Sequence, residues 1–167
     1  MLNFREHTFN QKPETRKIVI NNCYGSFCAS FRVAIELFRN KYTTNEYYIY
    51  KKTNNNSYKK ITTTDELENS FFYSNYYIVD KDYGEIISID KFKNITNKEC
   101  LDSLAHCCNE RENPILIDMI EKFGSEFCSN TKHSRLQIIE IPYDVNYIVQ
   151  EDDGLEWIAE KHRTWEL

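Results

Sequence analysis

The sequence predicts an α+β fold: a single domain over residues 1–167, with a mixed or antiparallel sheet and three to four helices. Two observations carry this expectation. Short β-branched and aromatic runs of strand length are interspersed irregularly with segments at helical spacing. The chain also has only four glycines and three prolines, no internal repeat and no low-complexity linker, so nothing divides it into domains.

The elements follow in order. Residues 1–16 read as a lead-in, with an edge strand around Thr8-Phe9. Lys17-Ile18-Val19-Ile20-Asn21 is a strand, taken as roughly 17–22. Cys23 to Ser30 is a compact turn of small and polar residues. Phe31, Ala34, Ile35 and Phe38 then mark one face of a helix over about 30–40, with Ser30 as its N-cap. Tyr47-Tyr48-Ile49-Tyr50 sits in a strand over 45–52, Thr53 to Ser57 is a polar tip, and Thr64-Asp65-Glu66-Leu67 is a capped helical turn. Phe71 to Asp80 and Glu85 to Asp90 read as strands joined by Asp82-Tyr83-Gly84. A short helix covers 97–108, and Pro114 opens another that Gly124 ends. Arg135 to Ile141 is a strand stopped by Pro142, with Asn146 to Gln150 as its partner or neighbour. Asp152-Asp153-Gly154 is read as a turn that caps a last helix, Leu155 to about Trp165.

Composition narrows the function. The net charge is −5 and no strong basic cluster appears, which argues against a partner in duplex nucleic acid. Lys51-Lys52 and Lys59-Lys60 flank a polar tip and read more simply as a solvated hairpin than as a phosphate patch. No apolar window reaches bilayer length, and Met1 to Lys12 lacks the apolar core of a signal peptide, so a cytoplasmic location and no membrane contact are expected. The six cysteines have no zinc-site or redox-pair spacing, so free thiols are expected, with no metal and no cofactor. Phosphate-loop, dinucleotide, zincin and zinc-deaminase motifs are absent.

Candidate site residues fall in three places. In the first turn, Cys23 ends a strand just before a helix, where backbone dipoles stabilise a thiolate; the alternative is a thiol that packs the turn. Gly25 is expected to hold a conformation or a close approach that a side chain would disturb. Tyr24 and Phe27 either stack on a ligand ring or pack. In the middle, Arg111 forks onto a phosphate or carboxylate, or pairs with Glu112 or Asp118. At the end, a helix would place His162 at the edge of an apolar face with Glu156, Glu160 and Arg163 beside it. His162 is then a core-edge imidazole, a ligand contact or an acid/base group.

Three segments together resemble a family of uncharacterised proteins found in bacteriophages and some large DNA viruses. They are Lys17-Ile18-Val19-Ile20-Asn21-Asn22-Cys23-Tyr24-Gly25-Ser26-Phe27, then Arg111-Glu112-Asn113-Pro114-Ile115-Leu116, and then the stretch from Leu136 to Trp165. The last contains Ile138-Ile139-Glu140-Ile141-Pro142, Asp153-Gly154-Leu155-Glu156-Trp157 and Glu160-Lys161-His162-Arg163-Thr164-Trp165. The family typically has a second Gly where Ser26 stands, Gly-Leu-Ser at 28–30, Asp in place of Asn113 and Tyr in place of Asp152. The match covers about half of the chain and implies a viral source.

The expectation from the sequence is therefore a small viral protein that binds a nucleotide-like or other anionic small molecule and sequesters a host defence signal. Its ligand-binding residues would be Cys23, Tyr24, Gly25, Phe27, Arg111, Glu156, His162 and Arg163. By analogy with small viral binders, a homo-oligomer is expected. Two alternatives stay open. One is a hydrolase using Cys23 with His162, or Glu156/Glu160 with His162; the other is a protein–protein inhibitor without a small-molecule site.

Overall fold

The computed structural model describes residues 14–68, 70, 73–106, 110–130 and 133–161. Among them, helices combine with sheets whose pairings are all antiparallel, so the fold is α+β.

Strand β1 (Thr15–Asn21) leads into the first turn, and helix α1 (Phe31–Tyr42) follows. Ser30 caps α1, with its Oγ accepting the Val33 N–H, and Thr43 closes the helix in the left-handed region (φ 49°). Next come β2 (Tyr48–Lys52), β3 (Ser57–Ile61), α2 (Asp65–Glu68), β4 (Tyr76–Val79), β5 (Ile86–Ser88), α3 (Ile89–Lys93), β6 (Lys98–Cys100) and α4 (Leu101–Ala105). The five strands of this stretch form one sheet in the order β5-β3-β2-β4-β6. Helix α5 (Pro114–Phe123) starts at Asn113, whose side chain accepts from the Ile115 and Leu116 N–H groups, and Gly124 ends it. A single turn, α6 (Ser125–Cys128), then leads to β7 (Leu136–Pro142), which pairs with the whole of β1. Strands β8 (Tyr147–Asp152) and β9 (Leu155–Glu160) form a closing hairpin.

Helix α1 is the hub because both of its sides are apolar. Phe31, Ala34, Ile35 and Phe38 pack with Ile49 and Ile78 of the five-stranded sheet. Val33 and Leu37 pack with Val19 of β1, Leu136 of β7 and Leu116, Met119 and Ile120 of α5. The sheet's other face is sealed by Tyr50, Tyr58, Ile87, Phe92 and Ile95, with the Tyr58 and Phe92 rings stacked at 3.7 Å. Each such fully buried side chain contributes about 1.5–3 kcal/mol.

Four expectations change. There is no helix at Leu155 to Glu160: this segment is β9. Asp153 (φ 48°) and Gly154 (φ 84°) are both left-handed, the signature of a two-residue hairpin turn whose twist matches its strands. Leu155, Ile158 and Ala159 fit helical spacing while Leu155, Trp157 and Ala159 alternate as in a strand, and the turn decides between the two. Strand β8 pairs with β9, and β7 pairs with β1, so β8 is not the partner of β7. Asp82 to Gly84 does join β4 to β5, but the two are not neighbours: β4 lies between β2 and β6 while β5 lies beside β3, and Ile89 and Asp90 begin α3 rather than ending the strand. The helix expected over 97–108 is split into β6 and α4. Thr8-Phe9, Phe71, Cys107-Cys108 and His162 to Trp165 lie outside the described residues.

Candidate functional site

The first turn, Arg111 and β9 meet. The Arg111 guanidinium forks onto the Glu156 carboxylate, with Nη2 2.7 Å from Oε1 and Nη1 donating to Oε2. Its flat face lies over the Phe27 ring at 3.8 Å. Glu156 Oε2 also accepts the Asn21 N–H at 2.7 Å. Asn21, fully buried, donates from its side-chain amide to the Cys23 and Gly154 carbonyls and accepts the Arg135 N–H on Oδ1 at 2.7 Å. The pair is dry, with side-chain exposures of 15% for Arg111 and 6% for Glu156.

This arrangement has a backbone logic. β1 has β7 on one edge; on its other edge the Val19 N–H donates to the Arg111 carbonyl and the Asn21 N–H to Glu156. The carboxylate thus stands where a further strand would supply a carbonyl, so no buried N–H is orphaned. Two glycines make the close approach possible. Gly25 has φ 143°, and a Cβ there would overlap the His133 carbonyl, as its position in the turn suggests. Gly154 faces Gly25 backbone to backbone, and a Cβ there would collide with the Gly25 carbonyl.

The structure therefore brings Cys23, Gly25, Phe27, Arg111 and Glu156 together, as a latch. Phe27 is buried under Arg111, while Tyr24 projects outward with 66% exposure. The Cys23 thiol is half-buried and donates to Asn21 Oδ1 at 3.4 Å. The partner of Arg111 is neither Glu112 nor Asp118; Glu112 instead pairs with Arg16 and accepts from the Tyr147 hydroxyl. The helical spacing that set Glu156 and Glu160 beside His162 does not exist, because 155–160 is extended. His162 and Arg163, and with them the Cys23–His162 pair, lie outside the described residues. Cys23, Cys28, Cys100 and Cys128 form no disulfide, and burial pushes the Cys128 thiol up to about 11. Among the described residues no group of three or more His, Cys, Asp or Glu could hold a metal ion, and no helix is long and apolar enough to cross a membrane.

A second arginine stands in a different setting. A groove of about 530 Å³ runs between α1 and the α5–α6 corner, lined by Phe31, Arg32, Tyr47, Lys122, Phe123 and Phe127, among others. The Arg32 guanidinium lies 4.9 Å from the Phe31 ring centre and 4.8 Å from that of Phe127. Phe123 tilts against Phe127 at 5.0 Å and is 57% exposed. Arg32 pairs with Glu68, and Lys122 with Asp118, but these pairs are open to solvent. Sequence reasoning passed over Arg32, Lys122 and Phe127, and it set Phe123 on the apolar face of α5 with Leu116, Ile117 and Ile120, whereas the ring is largely exposed. The available signal was Phe123 and Phe127 on either side of Gly124, where a helix ends and its outward rings cannot continue into the same apolar face.

Comparison of the chain with protein-family models, with curated proteins and with solved structures finds no match.

Proposed function

We propose that the protein is a binder of a small aromatic anion of nucleotide-like chemistry, held in the groove beside Arg32. One observation supports this above others: a guanidinium backed by two phenylalanine rings borders an open, ring-lined groove. Such a surface offers a planar cationic platform for a base and a charge for a phosphate. The exposed Arg32–Glu68 pair is worth about 0–1 kcal/mol, so Arg32 can pass to a phosphate oxygen at little cost. Arg111 is unsuited to that exchange, because taking it from Glu156 strands a buried carboxylate. Cys23 is not among the groove-lining residues, which favours binding over a thiol-dependent hydrolase. The resemblance to bacteriophage and large-DNA-virus proteins suggests a host signal as the ligand and sequestration as the role.

The test is calorimetric titration with nucleoside mono- and diphosphates and cyclic dinucleotides, with native mass spectrometry of the bound species. Binding to the wild type, weakened by Phe123→Ala and by Arg32→Gln with folding intact, is the expected result. Absence of binding across the panel overturns the proposal. A nucleotide recovered chemically cleaved replaces it with the hydrolase.

A further inference from the structure

Among the described residues the second edge of β7 is open, and the bonds of the β1–β7 pair fix its geometry. Antiparallel ladders alternate between residues that bond to the neighbour and residues whose N–H and C=O point away. The Asn22 N–H donates to the Arg135 carbonyl and the Tyr143 N–H to the Glu14 carbonyl, both across the β1–β7 pair. With Thr15 opposite Pro142 and Asn21 opposite Leu136, residues 135, 137, 139, 141 and 143 therefore bond toward β1. Residues 136, 138, 140 and 142 point outward. The Leu136 N–H is taken by Ser129 Oγ, Pro142 has no N–H, and its carbonyl accepts from Val145. Ile138 and Glu140 remain, and no backbone bond reaches either from the outer side among the described residues.

We propose that this edge pairs with β7 of a second copy of the chain, antiparallel and two-fold symmetric about Ile139. Ile138 of each copy then exchanges two backbone bonds with Glu140 of the other, giving four in all and using every free outward group of these two residues. Ile139 meets its own copy at the centre, in the non-bonded position where side chains approach most closely. Gln137 falls opposite Ile141, and the exposed guanidinium of Arg135 falls opposite the exposed Tyr143 ring at each end. The neighbouring registers are worse. Sliding one bonding pair toward Pro142 sets Glu140 against Glu140, like charges directly opposed. Sliding the other way calls on Leu136, whose N–H is already bound to Ser129. Glu140 sits across from Lys17 in its own copy, which tempers its charge at the edge. The result is a four-stranded sheet, β1-β7-β7-β1, with no open edge at its centre.

Sedimentation of the full chain over a concentration series tests this, together with three variants checked for folding by circular dichroism. Glu140→Pro removes one outward N–H per copy and leaves the β1 ladder intact; Ile139→Lys sets two ammonium groups on the two-fold axis; Glu140→Gln keeps the N–H. A wild-type dimer, retained in Glu140→Gln and weakened about tenfold or more in the other two, is the expected result. A wild type that stays monomeric, or a dimer that all three variants leave unchanged, overturns the proposal. If Glu140→Pro does not fold, Ile139→Lys and amide exchange decide. The Ile138 and Glu140 amides should gain protection as concentration rises; protection in the monomer shows the edge covered from within the chain and overturns the proposal.

Discussion

Arg111 and Arg32 have the same local chemistry: each lays its guanidinium over a phenylalanine and pairs with a carboxylate distant in sequence. They differ in water. The Arg111–Glu156 pair is 15% and 6% exposed, while the Arg32–Glu68 pair is 37% and 45% exposed. In the first, the buried Glu156 carboxylate depends on Arg111, because removing the guanidinium strands its charge away from water. In the second, either partner can leave at little cost. The chemistry of a motif therefore does not assign its role; solvent access does. The arginine within the conspicuous segments closes the structure, and an arginine in an ordinary helical turn remains available.

The sharpest way to break this contrast is at the latch. Glu156→Ala leaves Arg111 buried without its carboxylate and should cost about 3–5 kcal/mol in denaturant or thermal melts. The pair replacement Arg111→Met with Glu156→Leu should cost less than Glu156→Ala alone, because no charge is stranded. A single variant that melts like the wild type would show that the pair is not dry. Next in size is Gly154→Ala, where a left-handed backbone and the Gly25 carbonyl both resist a methyl group. It should lose more than about 1 kcal/mol, and more than Gly84→Ala, where φ is 88° but the space is open. Equal losses at the two sites would remove the close approach as a cause.

On the groove side, Phe123→Ala should weaken nucleotide binding by about 1–3 kcal/mol, the worth of one stacked base, and calorimetry reads it directly. The smallest effect is expected at Glu68→Gln. It should change stability by no more than about 1 kcal/mol while tightening anion binding, since Arg32 loses its competitor. A large melting shift there would make the two arginines alike after all.

Much of the fold could be read locally. Ser30 caps the helix it was expected to cap, Pro114 opens α5 and Gly124 ends it, and the α1 face of Phe31, Ala34, Ile35 and Phe38 packs as its spacing implies. The Gly25 approach was also visible, because a small residue between Tyr24 and Ser26 in so tight a turn leaves little room. The closing hairpin was legible and misread: Asp-Gly between alternating apolar residues is a strong hairpin signal, and it outweighs the helical spacing of Leu155, Ile158, Ala159, His162 and Trp165. The Arg111–Glu156 pair was not legible, since the partners are 45 residues apart and nothing local favours Glu156 over Glu112. Nor was the order β5-β3-β2-β4-β6, which depends on packing against α1 and on α3 covering the far face.

The placement of β1 has a consequence for synthesis of the chain. It is the first of the described strands to leave the ribosome, yet β7, Arg111 and Glu156, which satisfy its two edges, are all translated much later. At about 5–20 residues per second, the interval between Asn21 and Leu136 lasts on the order of ten seconds. Meanwhile α1 and all five strands of the larger sheet, residues 31–100, have already been translated. Throughout that interval Ile18-Val19-Ile20 is an unpaired aggregation-prone strand, guarded only by Arg16 and Lys17 on one side and Asn21 and Asn22 on the other. A nascent chain stalled before residue 136 would therefore be a chaperone substrate, and its release would coincide with the arrival of β7.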